Sequence, residues 1–146
     1  MRNLFLKIPT TLFCISLFAV SCKTVNKDDS TLPKDISERP ADENSQKYDQ
    51  ARLDKIKSSI EEDIAKEECT NAADWTFSPL GSKACGGPVS YIAYPKKIES
   101  TLLPKIELYK NVMSEYNKKY NITSDCMMAA EPTGVKCENG KAVLVY

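Results

Sequence analysis

The chain has 146 residues, enough for one small domain, and its 20 basic and 20 acidic side chains cancel. Balanced charge implies no general affinity for nucleic acid. The sequence contains no His, which excludes Ser-His-Asp and Cys-His catalysis and every His-containing zinc or haem site.

Residues 1–21 have the pattern of a signal peptide. Arg2 and Lys7 precede an apolar run over residues 8–20 that is too short for a permanent membrane helix. The Ala-Val-Ser-Cys sequence ending at Cys22 resembles the lipobox of bacterial lipoproteins, in which cleavage precedes the Cys and its thiol is acylated. We therefore expect Cys22 to carry a lipid anchor, worth about 0.8 kcal/mol per buried methylene. The alternative is an ordinary signal peptide with an incidental Cys.

Residues 22–45 are polar and hold almost no large apolar side chain. Such a segment buries too little surface to offset its ordering entropy, so we predict a lipidated flexible tether. The Lys-Asp-Asp at residues 27–29 resembles the acidic signal that exports Bacteroidota lipoproteins to the outer face of the outer membrane. The expected location is therefore the outer membrane, lipid-anchored, on its periplasmic or cell-surface side.

Two segments have helical periodicity. Residues 46–68 predict a charged amphipathic helix, and residues 99–120 predict a longer apolar stripe with Ser100 or Thr101 as the N-cap and Pro104 near the first turn. The first helix is either a stalk or partner-binding helix, or a helix packed on the domain behind it. The predicted inward residues are Tyr48, Leu53, Ile56, Ile60 and Ile64 in the first helix, and Leu102, Leu103, Ile106, Tyr109, Met113, Tyr116 and Tyr120 in the second.

The remaining apolar segments predict short strands. Residues 75–77 and 89–94 are bounded by Gly and Pro, and Asn139-Gly140 is a strong two-residue hairpin signal that sets Glu138 opposite Lys141. Residues 127–130 predict a further strand. The fold class is therefore α+β, with a small antiparallel sheet of three to five strands and one packed amphipathic helix in residues 69–146.

Four Cys remain in the exported region, namely Cys69, Cys85, Cys126 and Cys137. An even number in a small exported domain predicts two disulfides, with three possible connectivities. We favour the local pairs, Cys69 with Cys85 and Cys126 with Cys137, and expect no free thiol. Zinc is the competing interpretation, but the sequence has no Cys-x-x-Cys spacing, and we expect no metal and no cofactor.

Aromatic side chains near the centre of the chain suggest a binding surface. Trp75, Phe77, Tyr91 and Tyr94 could form a platform for a glycan or a peptide of the envelope, because flat rings present a large area at low entropic cost. The competing interpretation is that Trp75 and Phe77 are core residues. The candidate binding residues are Trp75, Lys83, Tyr91 and Tyr94.

Two other functions are open. The loop from Lys83 to Pro88 contains Cys85 and a Gly-Gly-Pro turn, so it could inhibit an exported hydrolase as a preorganised loop. An enzyme without His is the other alternative, but neither Ser-x-x-Lys nor Gly-x-Ser-x-Gly spacing is present. We therefore predict a non-catalytic, membrane-anchored binding module.

Several local features of residues 69–146 occur together: Cys-Thr-Asn at the start, Trp75, the Cys-Gly-Gly-Pro turn, the Ser-Asp-Cys sequence ending at Cys126 and the Glu-Asn-Gly-Lys turn at residues 138–141. With them the segment resembles a small group of hypothetical Bacteroidota lipoproteins. The resemblance implies one domain and an envelope location, without implying a mechanism.

Overall fold

A computed structural model describes residues 35–146. The predicted signal peptide, Cys22 and the first part of the tether lie outside this range. The described part is α+β, as predicted. Its elements are α1 (Glu43–Ala65), β1 (Trp75–Leu80), β2 (Ser90–Pro95), α2 (Glu99–Lys119), β3 (Gly134–Glu138) and β4 (Lys141–Val145). Neither of these two helices is long and apolar enough to cross a membrane.

Helix α1 begins where the side chain of Asp42 accepts a hydrogen bond from the Ser45 amide at 2.8 Å. This N-cap satisfies an amide that would otherwise lack a partner in the first turn. The helix therefore starts before the predicted residue 46, and it ends at Ala65 instead of residue 68. Leu53 and Ile60 are buried as predicted, and Ile56 and Ile64 pack at the edge of the core.

Helices α1 and α2 pack antiparallel. Gln46, near the start of α1, donates to the Tyr116 hydroxyl near the end of α2 at 3.3 Å. At the other end, the Lys105 ammonium reaches Ser59 at 2.9 Å and Asp63 at 2.5 Å. The contact between the helices supplies much of the core, which contains Ile36, Leu53, Ile60, Leu80, Tyr94, Leu102, Ile106, Tyr109, Val112 and Tyr116.

The prediction for α2 was correct in extent and wrong in two details. The N-cap is Ile98, which makes no side-chain cap; the Thr101 hydroxyl instead donates to the Ile98 carbonyl at 2.9 Å. Leu103 is 37% exposed, whereas Val112 is 5% exposed. Val112 belongs to the same stripe as the buried Tyr109 and Tyr116, three residues before it and four after it.

The four strands form two separate two-stranded antiparallel sheets, β1–β2 and β3–β4, and not one larger sheet. In the first sheet Thr76 lies opposite Tyr94, and Leu80 opposite Ser90. Tyr94 and Leu80 share the face that packs into the core with α2. The second sheet packs beside the first, with β3 against β1 and β4 against β2.

The predicted strand over residues 127–130 is absent; this segment has no regular secondary structure. Met127 and Met128 are 76% and 90% exposed, so the segment has no apolar face to bury. The carbonyl of Met127 accepts a hydrogen bond from the Lys83 ammonium at 2.6 Å, and not from a neighbouring strand. A strand forms only where a partner satisfies its backbone groups.

The predicted flexible tether over residues 22–45 is wrong for its described end. Ile36 is 2% exposed and Arg39 is 3% exposed. The Ile36 carbonyl accepts a hydrogen bond from the Lys119 ammonium at 2.7 Å, and Arg39 forms an ion pair with Asp49 of α1. One isolated apolar residue and one buried ion pair therefore order a segment whose composition is otherwise that of a linker.

The predicted cysteine pairs are also wrong. Cys69 is bonded to Cys137, with Cα atoms 5.3 Å apart, and Cys85 and Cys126 are thiols. Cys69 precedes β1 and Cys85 follows it, so a six-residue strand, about 20 Å long, lies between them. The amide of Cys69 donates to the Gly140 carbonyl at 2.9 Å, which brings it to the hairpin that carries Cys137.

Candidate functional site

Trp75 is 7% exposed and lies at the start of β1, opposite Pro95 of β2. It does not belong to the main core cluster. Trp75 instead borders two adjacent cavities at this end of the sheet.

The larger cavity, of about 570 Å³, is here called the Trp75 groove. The last turn of α1, the first sheet and the β3–β4 turn form its walls. Its apolar lining comes from Ile64, Trp75, Ile92 and Ala142. Three elements that are distant in sequence therefore combine to make one open apolar surface.

The rim of the Trp75 groove is charged. Lys66 forms an ion pair with Asp63 at 2.8 Å, and Glu67 forms one with Lys97. The hydrogen bond with Asp63 raises the pKa of Lys66 above its ordinary value. Among the described residues Glu68 has no such partner, although its carboxylate lies close to Gly140 in the turn. Glu68 is exposed, so its negative charge is open to a ligand.

A smaller polar cavity of about 300 Å³ adjoins the groove and shares Trp75, Glu67 and Glu68 with it. Lys96 borders this cavity, but its ammonium donates to the Ala73 carbonyl at 2.8 Å. Asp74 accepts a hydrogen bond from the Asn71 amide at 3.2 Å. An apolar groove therefore continues directly into a polar recess, with Glu68 on the border between them.

The other predicted aromatic residues do not join Trp75 in a platform. Tyr94 is 4% exposed, and burial together with the nearby Glu99 carboxylate raises the pKa of its hydroxyl. Phe77 and Tyr91 are half-buried and meet edge to face, with ring centres 6.0 Å apart. Trp75 is therefore buried, as the core interpretation expects, whereas Phe77 is only half-buried. Tyr94 is a core residue, and the rings of Phe77 and Tyr91 lie nearly at right angles to each other.

The side chain of Lys83 is only 15% exposed. Its ammonium donates to the Asp125 carboxylate at 2.5 Å and to the Met127 carbonyl. The hydrogen bond from Lys83 lowers the pKa of Asp125. The loop itself is compact, because the Lys83 amide donates to the Gly87 carbonyl at 2.9 Å and the Gly86 amide donates back to Lys83 at 3.0 Å. An inhibitory loop would present this Lys to solvent, so the geometry gives that alternative no support.

Sequence reasoning singled out Trp75 and missed its partners Glu68, Ile92 and Ala142. Trp75 was conspicuous because it is the only Trp. The others are ordinary residues of a helix end, a strand and a hairpin, and only the docking of the hairpin brings them together. Within residues 35–146, the Asp, Glu and Cys side chains do not gather in a group that could hold a metal ion.

Comparison of the chain with protein-family models, with curated proteins and with solved structures found no match.

Proposed function

We propose that this protein is a lipid-anchored lipoprotein of the outer membrane, acting as a non-catalytic binding module for an envelope protein. The lipobox-like sequence at Cys22 supports the lipid anchor, and the Lys-Asp-Asp at residues 27–29 supports the outer membrane. The Trp75 groove supports the binding function. Its ligand, on this proposal, is an extended peptide segment of the partner protein.

The observation that carries the proposal is the open apolar surface formed by Ile64, Trp75, Ile92 and Ala142. A groove of this size accommodates one or two apolar side chains. A sugar would need a flat aromatic face to stack on, and Trp75 is only 7% exposed. Aliphatic lining and an almost covered indole favour a peptide over a glycan.

Glu68 defines a second feature of the ligand. It is an exposed carboxylate between the apolar groove and the polar recess. The neighbouring Glu67 already forms an ion pair with Lys97. A basic group placed beside Glu68 would gain a charge-assisted hydrogen bond. The preferred ligand therefore has an apolar side chain with a Lys or Arg next to it.

Selection of peptides from a random display library tests this proposal. Ala65→Trp fills the groove from the exposed end of α1, and Ala51→Trp makes the same change at an exposed position of that helix outside the groove. We expect enriched peptides with an apolar residue next to a basic one. They should bind the parent and Ala51→Trp and fail to bind Ala65→Trp.

Glu68→Gln separates the two parts of the site, with Glu107→Gln on the exposed face of α2 as its control. We expect the Glu68 change to weaken binding of the basic peptides roughly tenfold, by about 1.4 kcal/mol. Peptides that bind Ala65→Trp as well as the parent, or a library that yields no binder at all, would show that the groove is not the binding site.

A further inference from the structure

Cys85 and Cys126 are far apart in sequence but lie close together in the fold. Cys85 lies in the β1–β2 loop, and Cys126 lies in the irregular segment between α2 and β3. The Cys85 thiol donates a hydrogen bond to the carbonyl oxygen of Asp125, the residue before Cys126, at 3.5 Å. The Cys126 thiol lies 4.0 Å from the Ser124 carbonyl oxygen, in the same segment. Both side chains are exposed, whereas Cys69 of the existing disulfide is 3% exposed. The described chain therefore has one covered disulfide and one accessible pair of thiols.

Contacts that do not involve sulfur hold the two thiols together. The Lys83 ammonium bridges to Asp125 and to the Met127 carbonyl, and the Ala84 amide donates to the Ser124 hydroxyl at 3.1 Å. These contacts come from the two residues before Cys85 and reach residues on both sides of Cys126. Because the reduced form already holds the sulfurs near each other, closing a bond between them requires little further loss of chain entropy.

The two thiols are chemically unequal. The Cys85 sulfur lies 3.6 Å from the Ser124 hydroxyl oxygen. The hydrogen bonds from Cys126 and Ser124, with the charge of Lys83, lower the pKa of Cys85, while the same contact with Cys85 raises the pKa of Cys126. A thiol with a lowered pKa next to an accessible partner is the arrangement that favours thiol–disulfide exchange.

We propose that Cys85 and Cys126 are a redox-active dithiol that exchanges with disulfides around the protein, and that its oxidation reversibly fastens residues 122–133 to the β1–β2 loop. The site lies at the opposite end of β1 from Trp75, and the inference does not depend on the function of the groove. The reaction partner is a small or exposed disulfide.

The exchange proceeds in two balanced steps. Cys85 loses its proton to solvent, and its thiolate attacks one sulfur of the partner disulfide. This forms a mixed disulfide and releases the first partner thiolate, which takes up a proton. Cys126 then loses its proton to solvent and attacks the Cys85 sulfur, releasing the second partner thiolate, which is also protonated. In total the protein loses two electrons and two protons, and the partner disulfide gains both and becomes two thiols.

Oxidation should change the behaviour of the segment that carries Cys126. Residues 122–132 belong to no helix or strand, and the segment presents the exposed Met127 and Met128. Its attachment to the β1–β2 loop depends on the contacts of Lys83 and Ser124 when the thiols are reduced. A covalent bond adds a link that local opening cannot break, so the oxidised form should resist proteolysis in this segment.

The test equilibrates the full chain with glutathione buffers of increasing oxidised fraction and identifies each Cys by alkylation and peptide mapping. We expect a Cys85–Cys126 peptide to form with oxidised glutathione and to be reversed by reduced glutathione, while Cys69–Cys137 stays intact. In Cys126→Ser, glutathione should be trapped on Cys85, roughly tenfold faster than on Cys126 in Cys85→Ser. Both substitutions are at exposed positions, so folding should be retained.

Two further measurements complete the test. Ser124→Ala should slow alkylation of Cys85 in the reduced protein, whereas Ser90→Ala at an exposed site in β2 should not. Oxidation should slow cleavage within residues 122–133 in the parent and leave Cys126→Ser unchanged. Linkage of Cys85 to Cys69 or Cys137, no linkage at any glutathione ratio, or faster reaction at Cys126 would each overturn the inference.

Discussion

The Asp49 carboxylate lies 3.0 Å from the Lys119 ammonium, with side chains that are 0% and 11% exposed. The same carboxylate accepts a hydrogen bond from the Tyr120 hydroxyl at 2.7 Å and forms an ion pair with Arg39. Asp49 therefore joins α1, the end of α2 and the segment before α1 in one buried polar cluster. Two cations and one anion share it, so the carboxylate is the member that holds the others.

Replacing Asp49 by Asn should strongly destabilise the protein. The shape of the side chain is conserved, but Arg39 and Lys119 then lie in the cluster without a carboxylate. Loss of one partner from a buried ion pair costs about 3–5 kcal/mol. Urea unfolding monitored by circular dichroism measures the change. Asp54→Asn, at an exposed position of the same helix, is the control and should cost less than about 1 kcal/mol.

The Cys69–Cys137 bond should contribute much more stability than the Cys85–Cys126 contact does in the reduced state. It closes a loop with a sequence separation of 68 residues, which in the chain-entropy model is worth about 4 kcal/mol. We expect the double change Cys69→Ser with Cys137→Ser to lower the free energy of unfolding by about this amount.

The double change Cys85→Ser with Cys126→Ser provides the comparison, because it alters only the weak hydrogen bonds of two exposed thiols. In a glutathione buffer that keeps this exposed pair reduced, it should cost less than about 1 kcal/mol. Equal losses from the two double variants would contradict the assignment of the pairs.

Stability should fall in acid partly through Asp63. Hydrogen bonds from Lys105 and Lys66 lower the pKa of its carboxyl from 3.8 to about 2. The folded state therefore favours the ionised form. The stability that ionised Asp63 contributes is fully present above the pKa of its carboxyl in the unfolded chain. It is lost as the pH falls from about 4 towards about 2.

The measurement is the urea midpoint as a function of pH across that window. Asp63→Asn should flatten the dependence, and Lys105→Met should flatten it in part because Lys66 still contacts Asp63. An unchanged slope in Asp63→Asn would assign the acid sensitivity to other carboxylates.

Local rules predicted the parts of this fold that depend on a few adjacent residues. Asn139 and Gly140 adopt positive φ values of 51° and 76°, as a type I′ turn requires, and Glu138 faces Lys141 as predicted. The disulfide could not be predicted in the same way, because its pairing depends on where the whole hairpin docks.

The burial of charged residues could not be predicted from the sequence either. Asp49 has the polar character of a solvent-exposed helix position, and it is buried because Arg39 and Lys119 approach it from outside α1. The Trp75 groove is similar: Trp75 was found from its rarity, while Ile92 and Ala142 join it only through tertiary packing. The periodicity of a sequence indicates which face of a helix or strand is apolar. It does not indicate which charged residues form ion pairs that another element covers.

The turn after β1 offers a final test of packing. Gly81 has a φ of +75°, and a Cβ there would lie 3.0 Å from the Met113 sulfur and 3.2 Å from a methyl group of Val89. Gly86, in the same loop, also has a positive φ, but a Cβ there would meet nothing within 4 Å. Ala at either site incurs backbone strain of about 1–2 kcal/mol, and only Gly81→Ala adds crowding.

We therefore expect Gly81→Ala to be less stable than Gly86→Ala by a further 1–3 kcal/mol or so, the usual range for overpacking a filled site. Urea unfolding of the two variants gives this difference directly, because the strain common to both cancels. Met113 also accepts a hydrogen bond from the Ser82 amide at 3.2 Å, so its sulfur cannot move away without losing that contact. Equal stability of the two variants would mean that α2 and the turn separate easily, in which case the turn does not fix the β1–β2 loop that carries Cys85.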